Sequence, residues 1–130
     1  MERAYNENNM VSSECYKDID GNLAKHKTKE YAKVTYAYDS KQNLVKETHF
    51  GTTGSMTNYI TYQYNEKNSL TEATIYNSKD RVDNTKSFSK LQISYDNDGV
   101  TPKKKIYYKG GTILAWQTYN SKSGWGTLNF

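Results

Sequence analysis

Val34-Thr35-Tyr36-Ala37-Tyr38-Asp39-Ser40-Lys41-Gln42-Asn43-Leu44-Val45-Lys46-Glu47 is the stretch that decides the fold. Val34, Tyr36 and Tyr38 fall on one side of an extended chain, and Thr35 and Ala37 on the other. That period of two, built from β-branched and aromatic residues, predicts a strand. Asp39 then opens a short polar segment, and the apolar pattern resumes at Leu44 in the opposite direction. An Asx residue that accepts backbone N–H bonds, followed by a residue in the left-handed region, is the chemistry of a hairpin tip. Gln42 falls at the left-handed position, where only Gly or Asn sits cheaply, and should carry some strain.

The same grammar returns twice. Ile60-Tyr62-Tyr64-Asn65 is followed by Asn68, and Leu91-Ile93-Tyr95-Asp96 by Gly99. Six residues after the closing tyrosine come Leu44, Leu70 and, in the third copy, Thr101; Phe50, Tyr76 and Tyr107 then end the return strands. A register held over so many positions is an internal repeat, one supersecondary unit copied and stacked. The expectation is an all-β fold: an antiparallel β-hairpin array in meander order, forming an open twisted or curled sheet. Residues 1–13 read as an N-terminal arm or weak first strand. Hairpin repeats fill 14–119, with units near 16–49, 50–75, 76–106 and 107–119, and 120–130 form a capping tail. Asp39, Gln42, Asn65, Asn68, Asp96 and Gly99 are the residues expected to set the turns.

Composition narrows the class. Leu, Ile, Val and Phe supply only 20 of the 130 residues, but thirteen tyrosines and two tryptophans add apolar surface. A net charge of +4 is too small, and the alternation too regular, for a disordered chain. The core should be thin, aromatic and partly wet, since tyrosine buries its ring and keeps its hydroxyl in water. The basic excess is lysine, with Arg3 and Arg81 the only arginines. Lys103-Lys104-Lys105 should split between the two faces of a strand, so no dense basic stripe for nucleic acid is expected. Cys15 stands alone, which excludes an intrachain disulfide. No apolar stretch reaches the length of a membrane-spanning helix, and no membrane insertion is expected.

Tyr36-Ala37-Tyr38-Asp39 through Leu44 resembles the YD repeat of RHS-type bacterial proteins, and Tyr95-Asp96-Asn97-Asp98-Gly99 matches that core through its glycine. Tyr16 to Asn22 and Glu30-Tyr31-Ala32 are similar to the connecting segments of related surface repeats. The resemblance extends over roughly residues 15–108, with Gln42 and Asn68 in place of the glycine and Asn65 in place of the aspartate. It implies strand-turn-strand architecture, cell-surface or secreted placement and no catalysis in the repeats. A complete gene product beginning at Met1 without a signal would instead be cytoplasmic.

Candidate chemistry is sparse. His26 and His49 have no second histidine at ligand spacing, and Cys15 has no adjacent base. Asp18-Ile19-Asp20-Gly21-Asn22 places Lys29 where a calcium loop needs glutamate. Gly51-Thr52-Thr53-Gly54-Ser55 lacks the lysine of a phosphate loop. No catalytic residue, metal or cofactor is expected. Trp116, Trp125, Tyr107 and Tyr108 are the candidate binding surface. The leading expectation is a non-catalytic β-repeat module acting in protein–protein contact or as a spacer, with self-association through a sheet edge as one route. A carbohydrate-binding module using exposed aromatics is the alternative, and a small inhibitor or immunity protein the second.

Overall fold

The computed structural model of the chain describes residues 1–26 and 28–130. Among the described residues it is all-β, with ten strands: β1 Glu2–Tyr5, β2 Val11–Cys15, β3 Lys33–Tyr38, β4 Leu44–Phe50, β5 Met56–Tyr64, β6 Leu70–Asn77, β7 Lys90–Tyr95, β8 Pro102–Lys109, β9 Thr112–Asn120 and β10 Gly124–Trp125. Their order in the sheet is their order in the chain, as a meander of hairpins requires. The first thirteen residues hold β1 and most of β2, a hairpin of their own. The tail supplies β10, with Gly124 opposite Asn120 and Trp125 opposite Tyr119.

The tips explain why the strands reverse where they do. The Asp39 N–H donates to Asn43 O at 2.9 Å, and the Gln42 N–H to Asp39 O at 3.0 Å. Asp39 Oδ1 meanwhile accepts the Lys41 and Asn43 N–H groups, both at 2.9 Å. Asn65 does the same for Lys67 and Ser69, Asn6 for Asn8 and Met10, and Asp18 for Asp20 and Asn22. Gln42, Asn68 and Gly99 stand at φ of 67°, 63° and 72°, all left-handed.

The third tip corrects one detail of the sequence register. It is a residue longer: Asp96 N–H donates to Thr101 O, and Asp98, rather than Asp96, presents the carboxylate to the Val100 and Thr101 N–H groups. Tyr95 therefore faces Pro102, as Tyr38 faces Leu44. One inserted residue changes which face every later side chain takes. Tyr108, not Tyr107, stands where Phe50 does, and each carries a lysine ammonium over its ring. Lys33 lies 5.6 Å from the Phe50 centroid and Lys90 5.1 Å from that of Tyr108.

Two compact units divide the chain: Met1–Ile60 with Asn77–Asp80, and Thr61–Tyr76 with Arg81–Phe130. Three backbone hydrogen bonds of the first correspond to three of the second. In the first, Tyr16 N–H donates to Ala32 O at 2.8 Å, Ala24 N–H to Tyr16 O at 2.8 Å and Ala32 N–H to Phe50 O at 2.9 Å. In the second, Ile75 N–H donates to Ser89 O at 2.9 Å, Asp83 N–H to Ile75 O at 2.8 Å and Ser89 N–H to Tyr108 O at 2.8 Å. The bridge Lys17–Leu23 likewise answers Tyr76–Val82. Tyr31 against His49, centroids 4.4 Å apart, answers Phe88 against Tyr107 at 5.2 Å. Burial is shallow and centres on Ala32, Val34 and Tyr31 in the first unit and on Ala73, Ser89 and Ala115 in the second.

Candidate functional site

Register decides which candidate side chains share a surface. Across β6 to β9, Glu72 faces Gln92, Gln92 faces Ile106, and Ile106 faces Trp116. Successive residues of a strand alternate between faces, so Lys90, Ser94, Lys104 and Tyr108 join this row while Leu91, Ile93, Lys105 and Tyr107 take the other side. The four candidate aromatics are thus divided. Trp116 and Tyr108 lie on the face of the row. Tyr107 lies on the opposite face, against Phe88, and Trp125 joins it there, 5.2 Å from the Tyr119 centroid and under the Lys105 ammonium at 4.2 Å.

The row floors a groove. Gln63, Glu72, Gln92, Ser94, Lys104 and Ile106 surround a shallow depression of about 330 Å³. Lys104 and Ile106 also wall a second, more apolar depression of about 250 Å³, completed by Ile113 and Trp116. The groove runs from amide and acid side chains to an indole.

Its polar groups are partly committed. Gln92 Nε2 donates to Glu72 Oε1 at 3.2 Å, and the Lys90 ammonium stands 3.4 Å from the same oxygen. The Lys104 ammonium lies 5.6 Å from the Trp116 centroid, with no carboxylate beside it among the described residues. Two lysine–aromatic pairs, Lys90 with Tyr108 and Lys104 with Trp116, therefore bracket an amide-lined strip. The first unit has the same frame, Lys33 over Phe50 and Lys46 over Tyr59 at 4.4 Å. There the positions matching Glu72, Gln92 and Ile106 are Ser13, Thr35 and Thr48. The ladder forms as well with short hydroxyls, so the fold does not require the long amide and acid side chains.

The other face of the first unit holds a polar chain that the sequence reading did not find. Tyr36 Oη donates to Glu14 Oε1 at 2.9 Å, and Arg3 pairs with Glu14 Oε2 at 2.8 Å. The Arg3 hydrogen bond holds the Glu14 carboxyl below its ordinary value, with Tyr36 adding to it. Burial, then the Glu14 bond, pushes the Tyr36 hydroxyl well above the usual phenol range. His49 Nε2 lies 2.5 Å from Glu47 Oε2 and its ring packs on Tyr31, while His26 packs on Tyr16 at 4.5 Å. Glu47 and His49 are two apart on β4, hence on one face, which was the available signal. In the second unit Ala73, Ile93, Lys105 and Tyr107 take the places of Glu14, Tyr36, Glu47 and His49. Cys15 lies opposite Lys33, on the face away from His49, with Sγ 3.7 Å from Glu2 Oε2.

Among the described residues, no group of three or more His, Cys, Asp or Glu side chains is gathered closely enough to hold a metal ion. No family model matches the chain. A search of curated proteins likewise gives no match.

Proposed function

We propose that the chain is a non-catalytic β-repeat module of a bacterial surface or secreted protein, working by contact through the groove on β6 to β9. One observation carries the reading: the two units match in three connecting backbone bonds and in ladder register but differ in the groove row, Glu72, Gln92 and Ile106 against Ser13, Thr35 and Thr48. A constant scaffold with different side chains on matching faces is how a repeat diversifies a binding surface. Concave, partly apolar sites with a few directed polar groups are where small ligands bind, which favours a saccharide-sized ligand here. Protein contact is the second reading, supported by the exposed Ile113, Leu114, Leu128 and Phe130.

The test transplants the first unit's row onto the second. Wild type and the triple variant Glu72→Ser, Gln92→Thr, Ile106→Thr would be compared on a glycan array after a thermal melt shows both folded. Ligands held by wild type and lost by the variant support the groove. Identical spectra for the two, or no ligand for either, would remove it.

A further inference from the structure

Charge and hydrogen-bonding capacity in the groove define its ligand more closely, on the reading that the groove is the contact surface. Glu72 is matched by Lys90 at 3.4 Å, whereas Lys104 has only the Trp116 ring beneath it. With Lys90 at the rim neutralising Glu72, the Lys104 charge is left uncompensated in the groove, held beside an indole. Gln63 makes no side-chain hydrogen bond among the described residues, and Gln92 uses only its Nε2 donor. Each amide offers both a donor and an acceptor, which suits hydroxyls that also do both. Ile106 and Trp116 supply an apolar patch for the C–H face of a ring. We propose that this groove binds an acidic oligosaccharide, with the sugar ring on Trp116, its carboxylate on Lys104 and its hydroxyls on Gln63 and Gln92.

Other anions fit less well. An extended peptide gains its affinity from backbone groups along a sheet edge, but the groove lies on a face whose backbone groups are spent in the ladders β6–β7, β7–β8 and β8–β9. A nucleic acid would meet only Lys90 and Lys104, without arginine, short of the dense basic stripe such ligands need. Cation–π contact leaves half-buried Lys104 able to lift from the ring onto an incoming carboxylate, since a charge-assisted bond is stronger than such a contact.

Tetragalacturonic acid and its methyl ester share every ring and hydroxyl and differ in charge. Both would be titrated by calorimetry into the full chain, with tetraglutamate as the acidic peptide. The acid should bind in roughly the 0.1–1 mM range, and the ester about tenfold more weakly, as loss of one charged contact predicts. Lys104→Gln should abolish the preference for acid over ester. Gln92→Thr, which copies the first unit, should weaken both sugars while leaving the melt unchanged; it stands in for Trp116→Ala should that variant not fold. Equal binding of acid and ester, binding of tetraglutamate as tight as that of the sugar, or no binding of either sugar at about 10 mM would overturn the proposal. If the array yields some other glycan lost on Gln92→Thr, the ligand class falls and the contact reading stands.

Discussion

Replacing Gly99 by alanine tests the tip geometry most directly. Gly99 stands at φ +72°, and a Cβ there would lie 2.8 Å from Lys67 Cγ and 3.5 Å from Lys67 Cβ. Left-handed backbone costs an L-residue about 1–2 kcal/mol. Lys67 would also have to leave its rotamer, adding on the order of 0.5–1.5 kcal/mol. The sum is about 2 kcal/mol, a fall in melting temperature of roughly 6–10 °C for a chain this size. Gly54 is the control, since it has φ +84° and nothing within 4 Å of its built Cβ. Gly54→Ala should therefore show the backbone cost alone, about 1 kcal/mol. Urea denaturation of both variants, and of Gly99→Ala combined with Lys67→Ala, separates the two contributions. The double variant should recover part of the loss and no more. Equal midpoints for Gly99→Ala and wild type, or no recovery on removing Lys67, would refute the reasoning.

Gln42→Gly relieves the left-handed strain at φ 67° and should raise stability by up to about 1 kcal/mol, read from the denaturation midpoint. The Asp39, Asp83, Asp98 and Glu14 carboxyls are all held below their ordinary values, Asp39 chiefly by the Asn43 N–H and Asp83 and Asp98 chiefly by the Thr85 and Thr101 hydroxyls. A depressed folded value stabilises above the unfolded value and is lost as pH falls through the folded one. The melting temperature should thus be flat from the ordinary Glu value of 4.5 up to the approach of the ordinary Tyr value of 10.0, and decline progressively below 3.8. Asp39→Asn keeps the acceptor, as Asn65 does in its own tip, and should flatten that decline while leaving the neutral-pH melt nearly unchanged. Deleting residues 121–130 strips partners from Trp116 N–H and O and from Thr118 O, so light scattering should rise and the melt fall.

The tips were legible because their chemistry is local: Asp39 or Asn65 accepts bonds from residues two and four further on, and one window of sequence holds them all. The two-unit correspondence was harder to read. Tyr16 and Ile75, Tyr31 and Phe88, His49 and Tyr107 share places but not identities, and the extra residue of the third tip breaks a fixed spacing. Assigning Tyr107 rather than Tyr108 to the place of Phe50 followed from that insertion. The groove could not be read at all without the register, since Glu72, Gln92, Ile106 and Trp116 come from four strands and meet only through ladder pairing.

A sheet whose strands follow chain order has a mechanical consequence. Adjacent strands are joined by tips such as Asp39–Asn43, so tension along the backbone reaches the ladder through its ends. Each antiparallel pair is then peeled open a few bonds at a time, rather than sheared with every bond loaded at once. Extension should proceed in steps about the length of a hairpin, at modest force, with each strand re-forming against its predecessor when the load is released. A sheet of this kind should yield under pull and recover rather than resist as a rigid strut.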